Sequence, residues 1–285
     1  MNRTWIILDA PFVAWRAHCL FDGMTYDGVE NDVIYGFIKE IFILQSRFNT
    51  THLAFCFDDC NDECPNVRSL VYPAYKQKRH KEVSPEEMVK KKSVWRQMAL
   101  LKDNLLTEIG WKNILSQPGY EADDCIASVC QNLPASDSAV IVSSDKDLYQ
   151  LLNARVSICN PIKRAVYTEE SFKALYKITP AQWTEVQSIA GCNTDNVEGI
   201  PGIGPAFACN HIRGLLKPRY KSYINIEKGK DIIARNRPLV TLPYAGMPRL
   251  HLRDDGFSWP KLWGVLKRYG ISGIKNVVPQ EASNV

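Results

Sequence analysis

Seven carboxylates in this chain stand where a hard cation could be held. Glu121, Asp123 and Asp124 fall within "GYEADDCIA" (119–127), just ahead of an apolar run. Asp9, Asp58, Asp145 and Asp147 follow short apolar runs in "TWIILD" (4–9), "LAFCFDD" (53–59) and "AVIVSSDKD" (139–147). Singly, each has an ordinary explanation. A helix N-terminus favours acids, because its free N–H groups and dipole attract negative charge. Asp after a strand is a common turn residue. Gathered on one edge, however, such groups repel one another strongly unless cations neutralise them. Apart from Lys146, few basic residues lie near them in the sequence. Oxygen-only donors favour Mg²⁺ or Mn²⁺ over zinc. For 121–124, helix cap and metal ligand are both open readings at this point.

The elements that must carry these acids follow from the apolar pattern. Short, continuous apolar runs suit strands buried on both faces. Helical patterns separate them, notably 31–47 and 87–109, and Ala122 onward reads as a helix with Ile126, Val129 and Cys130 on one side. This alternation predicts an α/β fold with a mainly parallel sheet covered by helices. Ligands in such sheets sit beyond the carboxyl ends of the strands. Asp9, Asp58, Asp145 and Asp147 are expected there.

With 285 residues, 45% hydrophobic and 23% charged, the chain is large enough for one large domain or two moderate ones. Its net charge of +4 is modest, so any nucleic-acid footprint must be local. Residues 72–96 supply one: eight basic and three acidic side chains give a local charge of +5. A basic segment beside an acidic metal site suits a phosphate backbone. Tyr72 and Tyr75 offer faces for a stacked base, or are packing residues. "GIPGIGPAFA" (199–208) reads as a tight turn between two helices that exposes N–H groups to an anion. It is neither a P-loop nor a dinucleotide fingerprint.

The run "WIIL" is too short for an export signal, and no stretch approaches transmembrane length, so a cytoplasmic location without membrane contact is expected. Nine cysteines, several in apolar runs (Cys56, Cys125, Cys130, Cys159), read as reduced and mostly buried. Cys60 and Cys64, with His52 and His80 nearby, form an incomplete zinc pattern. No histidine makes a recognisable catalytic triad.

In order along the chain, "FDD" (57–59), Arg68, "YPAYKQKR" (72–79), "GYEADDCIA", "SSDKDLYQLL" (143–152) and "DNVEGIPGIGPAFA" (195–208) resemble the 5′-nuclease family. That family includes bacterial and phage 5′–3′ exonucleases, flap endonucleases and the nuclease domain of bacterial DNA polymerase I. The likeness spans roughly residues 4–270 without a polymerase domain, which suggests a free-standing enzyme of a bacterial or phage-infected cell. It implies a PIN-like α/β core at 1–170 with a helical arch at about 72–98. A mainly helical region at 171–285 would carry a helix-three-turn-helix motif at about 186–212.

Carried over residue by residue, the resemblance implies two metal groups. Asp9, Asp58, Glu121 and Asp123 form the first, with Asp59 as an alternate for Asp58. Asp124, Asp145, Asp147 and Asp195 form the second. Lys76 and Arg79 are implied to act on the scissile phosphate. Tyr75 is implied to stack on DNA, and Arg68, Gly199, Gly202 and Gly204 to contact it, with K⁺ at the glycine turn. The expected activity is structure-specific 5′ hydrolysis of DNA phosphodiesters, exonuclease and flap endonuclease, using two Mg²⁺ or Mn²⁺ ions. The expected partner of this monomer is DNA with 5′ flaps, nicks or 5′ ends. Two alternatives stand: a 5′ nuclease preferring RNA primers in RNA–DNA hybrids, and a catalytically degenerate DNA-binding protein. One position departs from the family pattern: "GCNTDN" (191–196) has Cys192 where an Asp is common.

Overall fold

The computed structural model describes residues 2–61, 63–77, 84–271 and 273–274. Six strands form the main sheet: β1 (Thr4–Asp9), β2 (His52–Cys56), β3 (Ile114–Leu115), β4 (Ser138–Val142), β5 (Val156–Asn160) and β6 (Ala165–Tyr167). Their order is β3-β2-β1-β4-β5-β6, parallel throughout except for the antiparallel β6 at one edge. Successive strand side chains point to opposite faces. Ile6 and Leu8 therefore enter one apolar cluster, with Phe55 and Val142, while Trp5 and Ile7 enter another, with Ala54 and Ile141. Both faces are covered, which is why the strands read as unbroken apolar runs. Each fully buried Ile, Leu or Val contributes about 1.5–3 kcal/mol.

Helices α1 (Ala10–Phe21), α2 (Asp32–Phe48) and α3 (Pro85–Leu100) lie on the Ile6 face, and α4 (Ala122–Gln131) and α5 (Trp183–Ala190) on the Trp5 face. The sequence pattern over 87–109 is split: α3 passes into a single π-helical stretch, Leu101–Leu105, before Leu106–Ile109. Further along come α6 (Pro205–Ile212), α7 (Lys230–Val240) and α8 (Trp259–Arg268). Residue 170 does not separate two cores. Leu262, Val265 and Leu266 of α8 share the cluster of Ile6 and Leu8, and Val186 and Ile189 of α5 share that of Trp5.

Register sets the functional edge. Asp9 pairs with Cys56, two residues before Asp58, and Leu8 pairs with Val142, one residue before Ser143. The strand order reverses its direction of growth at β1, where such sheets leave a crevice for ligands. Asp9, the last residue of β1, is also the N-cap of α1 and accepts from Phe12 N at 3.1 Å. The N-terminus of α4 arrives at the same edge, where Asp58 Oδ1 accepts from Ala122 N at 2.8 Å.

Candidate metal centre

The carboxylates converge through hydrogen bonds between strand ends. Ser143 Oγ donates to Asp9 Oδ2 at 2.7 Å and accepts from Asp145 N at 3.1 Å. Asp145 Oδ1 in turn accepts from Asp147 N at 2.8 Å. Burial raises the Asp9 pKa to about 7, and the charges of Asp58 and Asp145 add to that against its two hydrogen bonds. Asp123 rises well above the carboxylate range, first by burial and then by repulsion from Asp145 and Asp9. Asp147 does the same, through burial, Asp145 and Asp195. Asp145 thus lies electrostatically between the two groups that the sequence suggested.

Lys76 brings positive charge into this cluster. Its backbone takes a left-handed φ of 53°, and its N–H donates to Asp195 O at 2.8 Å. Its Nζ then donates to Glu121 Oε1 and stands 3.6 Å from Asp195 Oδ1. Burial works against ionised Glu121, but Lys76 and Arg68 outweigh it and hold its carboxyl below the usual range. Tyr75 Oη also donates to Glu121 Oε2, at 2.8 Å.

Several side chains depart from their expected roles. Asp124, assigned to the second metal group, is 0% exposed. Arg68 Nη1 and Nη2 donate to its Oδ2 and Oδ1 at 2.7 and 2.8 Å, and the backbone N–H groups of Glu121 and Tyr244 donate to it as well. Both oxygens of Asp124 are committed to this buried pair, which makes it a structural anchor. Arg68 is 1% exposed, so it cannot meet DNA. Tyr75 is 6% exposed with its hydroxyl held by Glu121 and Asp195, so its ring is not a free stacking platform. Asp59 turns to Ser116 Oγ (2.9 Å) and Lys102 Nζ (3.5 Å), whereas Asp58 stays close enough to raise Asp9. Arg79 lies outside the described residues, as does His80. Among the described residues the zinc pattern does not assemble: Cys60 Sγ donates to Tyr120 O at 3.4 Å and Cys64 lies against Gly119. All nine cysteines are free.

The glycine turn divides into two roles. A Cβ on Gly199 would stand 2.1 Å from the carbonyl of Ala190, so this glycine permits two backbones to touch. Gly202 has φ 77° with nothing within 4 Å of a would-be Cβ, and Gly204 N-caps α6 in equally open space. A valine at 202 is therefore strained, not crowded, at a cost of about 1–2 kcal/mol. Gly202→Val is expected to fold by circular dichroism and to weaken binding to duplex-containing flap DNA. Unchanged binding at moderate salt would take this turn out of the DNA interface.

Two residues of the edge escaped the sequence reading. Ser143 ties Asp9 to Asp145, and its signal was a hydroxyl at the end of an apolar strand, two residues before an acid. Gln187 Nε2 donates to Asp147 Oδ1 from α5, and nothing in its local sequence marks it. Cys192 also faces the edge: its Sγ lies 3.7 and 3.9 Å from the Asp147 oxygens. Asp147, Cys192 and Asp195 are the one group among the described residues with three ligand atoms within 4.8 Å of one another.

Residues 4–177 match the 5′–3′ exonuclease N-terminal, resolvase-like domain family. The chain belongs to the 5′–3′ exonuclease family. Among relatives of this exonuclease chain, the 5′–3′ exonuclease of Aquifex aeolicus is 29% identical over 83% of the chain and 76% of its own length. That of Buchnera aphidicola is 31% identical over 81% of the chain and 77% of its own length. The bacteriophage T5 flap endonuclease solved with DNA and metal ions superposes with a TM-score of 0.70 at 18% identity, covering 99% of this chain and all of that one; this likeness shows the shared fold. Among the described residues, no helix of the exonuclease chain is long and apolar enough to cross a membrane.

The raised carboxyls give a pH signature. In a chelator, Asp9 ionises near 3.9 when unfolded but near 7 when folded, so the folded state binds more protons between those values. Stability from this group is full below pH 3.9 and is lost as pH rises through 7, by up to about 4 kcal/mol. Asp123 and Asp147 act in the same direction. Added Mg²⁺ is therefore expected to raise Tm more at pH 8 than at pH 5. Equal increments at both pH values would refute the account.

Proposed function

We propose that the chain is a divalent-metal-dependent, structure-specific 5′ nuclease that hydrolyses DNA phosphodiesters near 5′ ends, as exonuclease and flap endonuclease. The observation that carries this reading is the convergence of Asp9, Asp58, Glu121, Asp123, Asp145, Asp147 and Asp195 on one sheet edge beside Lys76. The donor set fits hard cations: burial and mutual repulsion push three of these carboxyls upward, a load that bound cations relieve. Asp9, Asp58, Glu121 and Asp123 would hold one Mg²⁺ or Mn²⁺, and Asp147 and Asp195 would help to hold a second cation, with Asp145 between the two and Cys192 beside the second. Such ions, when bound, supply an activated water and stabilise the charge of the leaving oxygen.

The chain's own groups do the rest. Ser143 orients Asp9, and Tyr75 orients Glu121. Lys76 sits where its ammonium can move from Glu121 to a phosphate oxygen, meeting charge as it develops. Lys76→Ala is expected to lower kcat by about a hundredfold with little change in flap binding. Matching losses in both would make it an ordinary backbone contact.

Duplex DNA would be gripped by its backbone at the turn 199–204 and the start of α6, with K⁺ as a bridging ion there. The basic face of α3 would receive the single-stranded 5′ end; Lys91 and Lys92 remain for it, while Lys90 and Arg96 pair with Asp22 and Glu30 in exposed, weak bridges. The partners proposed are 5′ flaps, nicks and 5′ ends, and the working unit is a monomer. The T5 flap endonuclease, solved with DNA and metal ions on the same fold, supports DNA as the partner. The test is cleavage of 5′-labelled flap, nicked and single-stranded DNA in Mg²⁺ and in Mn²⁺. Short products from flap or nicked DNA are expected. No cleavage in either ion, or equal cutting of unstructured strands, would overturn the reading.

A further inference from the structure

Resting on the nuclease reading above, we infer that the second cation position is a mixed sulfur–oxygen site, in which Cys192 Sγ binds a borderline-soft divalent ion of the Zn²⁺ or Co²⁺ class directly. The first position, built from carboxylates alone, keeps its preference for Mg²⁺ or Mn²⁺. The geometry is suited to this. Cys192 Sγ lies 3.7 Å from Asp147 Oδ2. Bond lengths of about 2.3 Å to sulfur and about 2.0 Å to oxygen at a tetrahedral angle place the two donors about 3.5 Å apart. Asp195 brings the third ligand atom, all three lying within 4.8 Å of one another.

A separate observation points into the same place. Gln187 is 5% exposed, and its Nε2 touches Asp147 Oδ1. Its Oε1 has no hydrogen-bond partner among the described residues. A buried amide oxygen without a partner is costly. A half-turn of the amide presents Oε1 to the cluster in place of Nε2, as a fourth donor to an ion or to a water bound on it. A cation thus offsets the facing acids and gives Oε1 a partner, while Nε2 gives up its bond to Asp147.

Sulfur decides which cation. Mg²⁺ demands an oxygen shell and gains little from a thiol, whereas thiolate favours Zn²⁺ and Co²⁺. Binding replaces the thiol proton: Cys192–SH and M²⁺ give Cys192–S–M⁺ and one proton released to solvent.

The experiment is a Co²⁺ titration of the whole chain, followed by near-ultraviolet thiolate-to-cobalt absorption and by calorimetry. The wild type is expected to develop the band with a stoichiometry of one ion per chain. Cys192→Ser and Cys192→Asp are expected to lose it while remaining folded by circular dichroism, and a Cys60→Ser, Cys64→Ser double variant to keep it. Cys192→Asp should also bind Mg²⁺ at this position at least about tenfold more tightly, by calorimetry. A band that survives in both Cys192 variants, or calorimetric Co²⁺ binding with no band in the wild type, would overturn the inference. Flap cleavage by the wild type in Mg²⁺ is run in parallel. Cleavage without the band defeats the mixed site alone, and failure to cleave in either Mg²⁺ or Mn²⁺ defeats the nuclease reading itself.

Discussion

Asp145→Asn will lower 5′-flap cleavage at least about a thousandfold while flap binding measured in a chelator stays near the native value. The carboxylate stands between Asp9 and Asp123 on one side and Asp147 on the other, so both proposed cation positions draw on it. An amide is a poor ligand for a hard ion. Loss of several kcal/mol of metal-based stabilisation, at 1.36 kcal/mol for each tenfold, gives the expected size. The same substitution removes a repelling charge from three buried neighbours, so Tm in chelator should rise. Cleavage within tenfold of the native rate in Mg²⁺ would remove Asp145 from the chemistry.

Arg68→Met will destabilise the fold by about 3–5 kcal/mol, because it strands the buried Asp124 carboxylate without its partner. For a chain of this size that lowers Tm by about 10 °C. Adding Asp124→Leu should recover part of the loss, the remainder being the backbone N–H groups of Tyr244 and Glu121 left without an acceptor. Urea unfolding of the two single variants and the double variant measures the coupling. A loss under about 1 kcal/mol for Arg68→Met, with DNA binding weakened instead, would restore Arg68 to the DNA surface.

That pair also shows where sequence reading runs out. The three central strands were legible because helices cover both sheet faces, leaving apolar runs that end in acids. Asp9, Asp58 and Asp145 reach one edge because parallel strands all end on the same side. The short edge strands Ile114–Leu115 and Ala165–Tyr167 carry too few residues to leave a pattern. Arg68 and Asp124 are 56 residues apart, and nothing in the local sequence of either marks the other as its partner, so an isolated arginine and an acidic cluster were all that showed. Tyr75 looked like a DNA-facing aromatic for the same reason; its burial depends on Val197, Leu239 and Val240, which lie more than a hundred residues away. Gly199 and Gly202 are alike in sequence, yet Ala190 presses on one and nothing approaches the other. Cys192 was legible as a departure, but its approach to Asp147 was not.

The sharing of one apolar cluster by β1 and α8 bears on how the protein is made. Trp259 stacks on Phe42 and Phe257 packs on Trp111, so residues near the end of the chain cover helix and strand surfaces made near its beginning. During synthesis the early strands leave the ribosome long before α8 does, and until then this apolar face has no cover. The nascent chain is therefore a natural client for holding chaperones. The acidic edge gains this support only once α8 has followed the strands out of the ribosome.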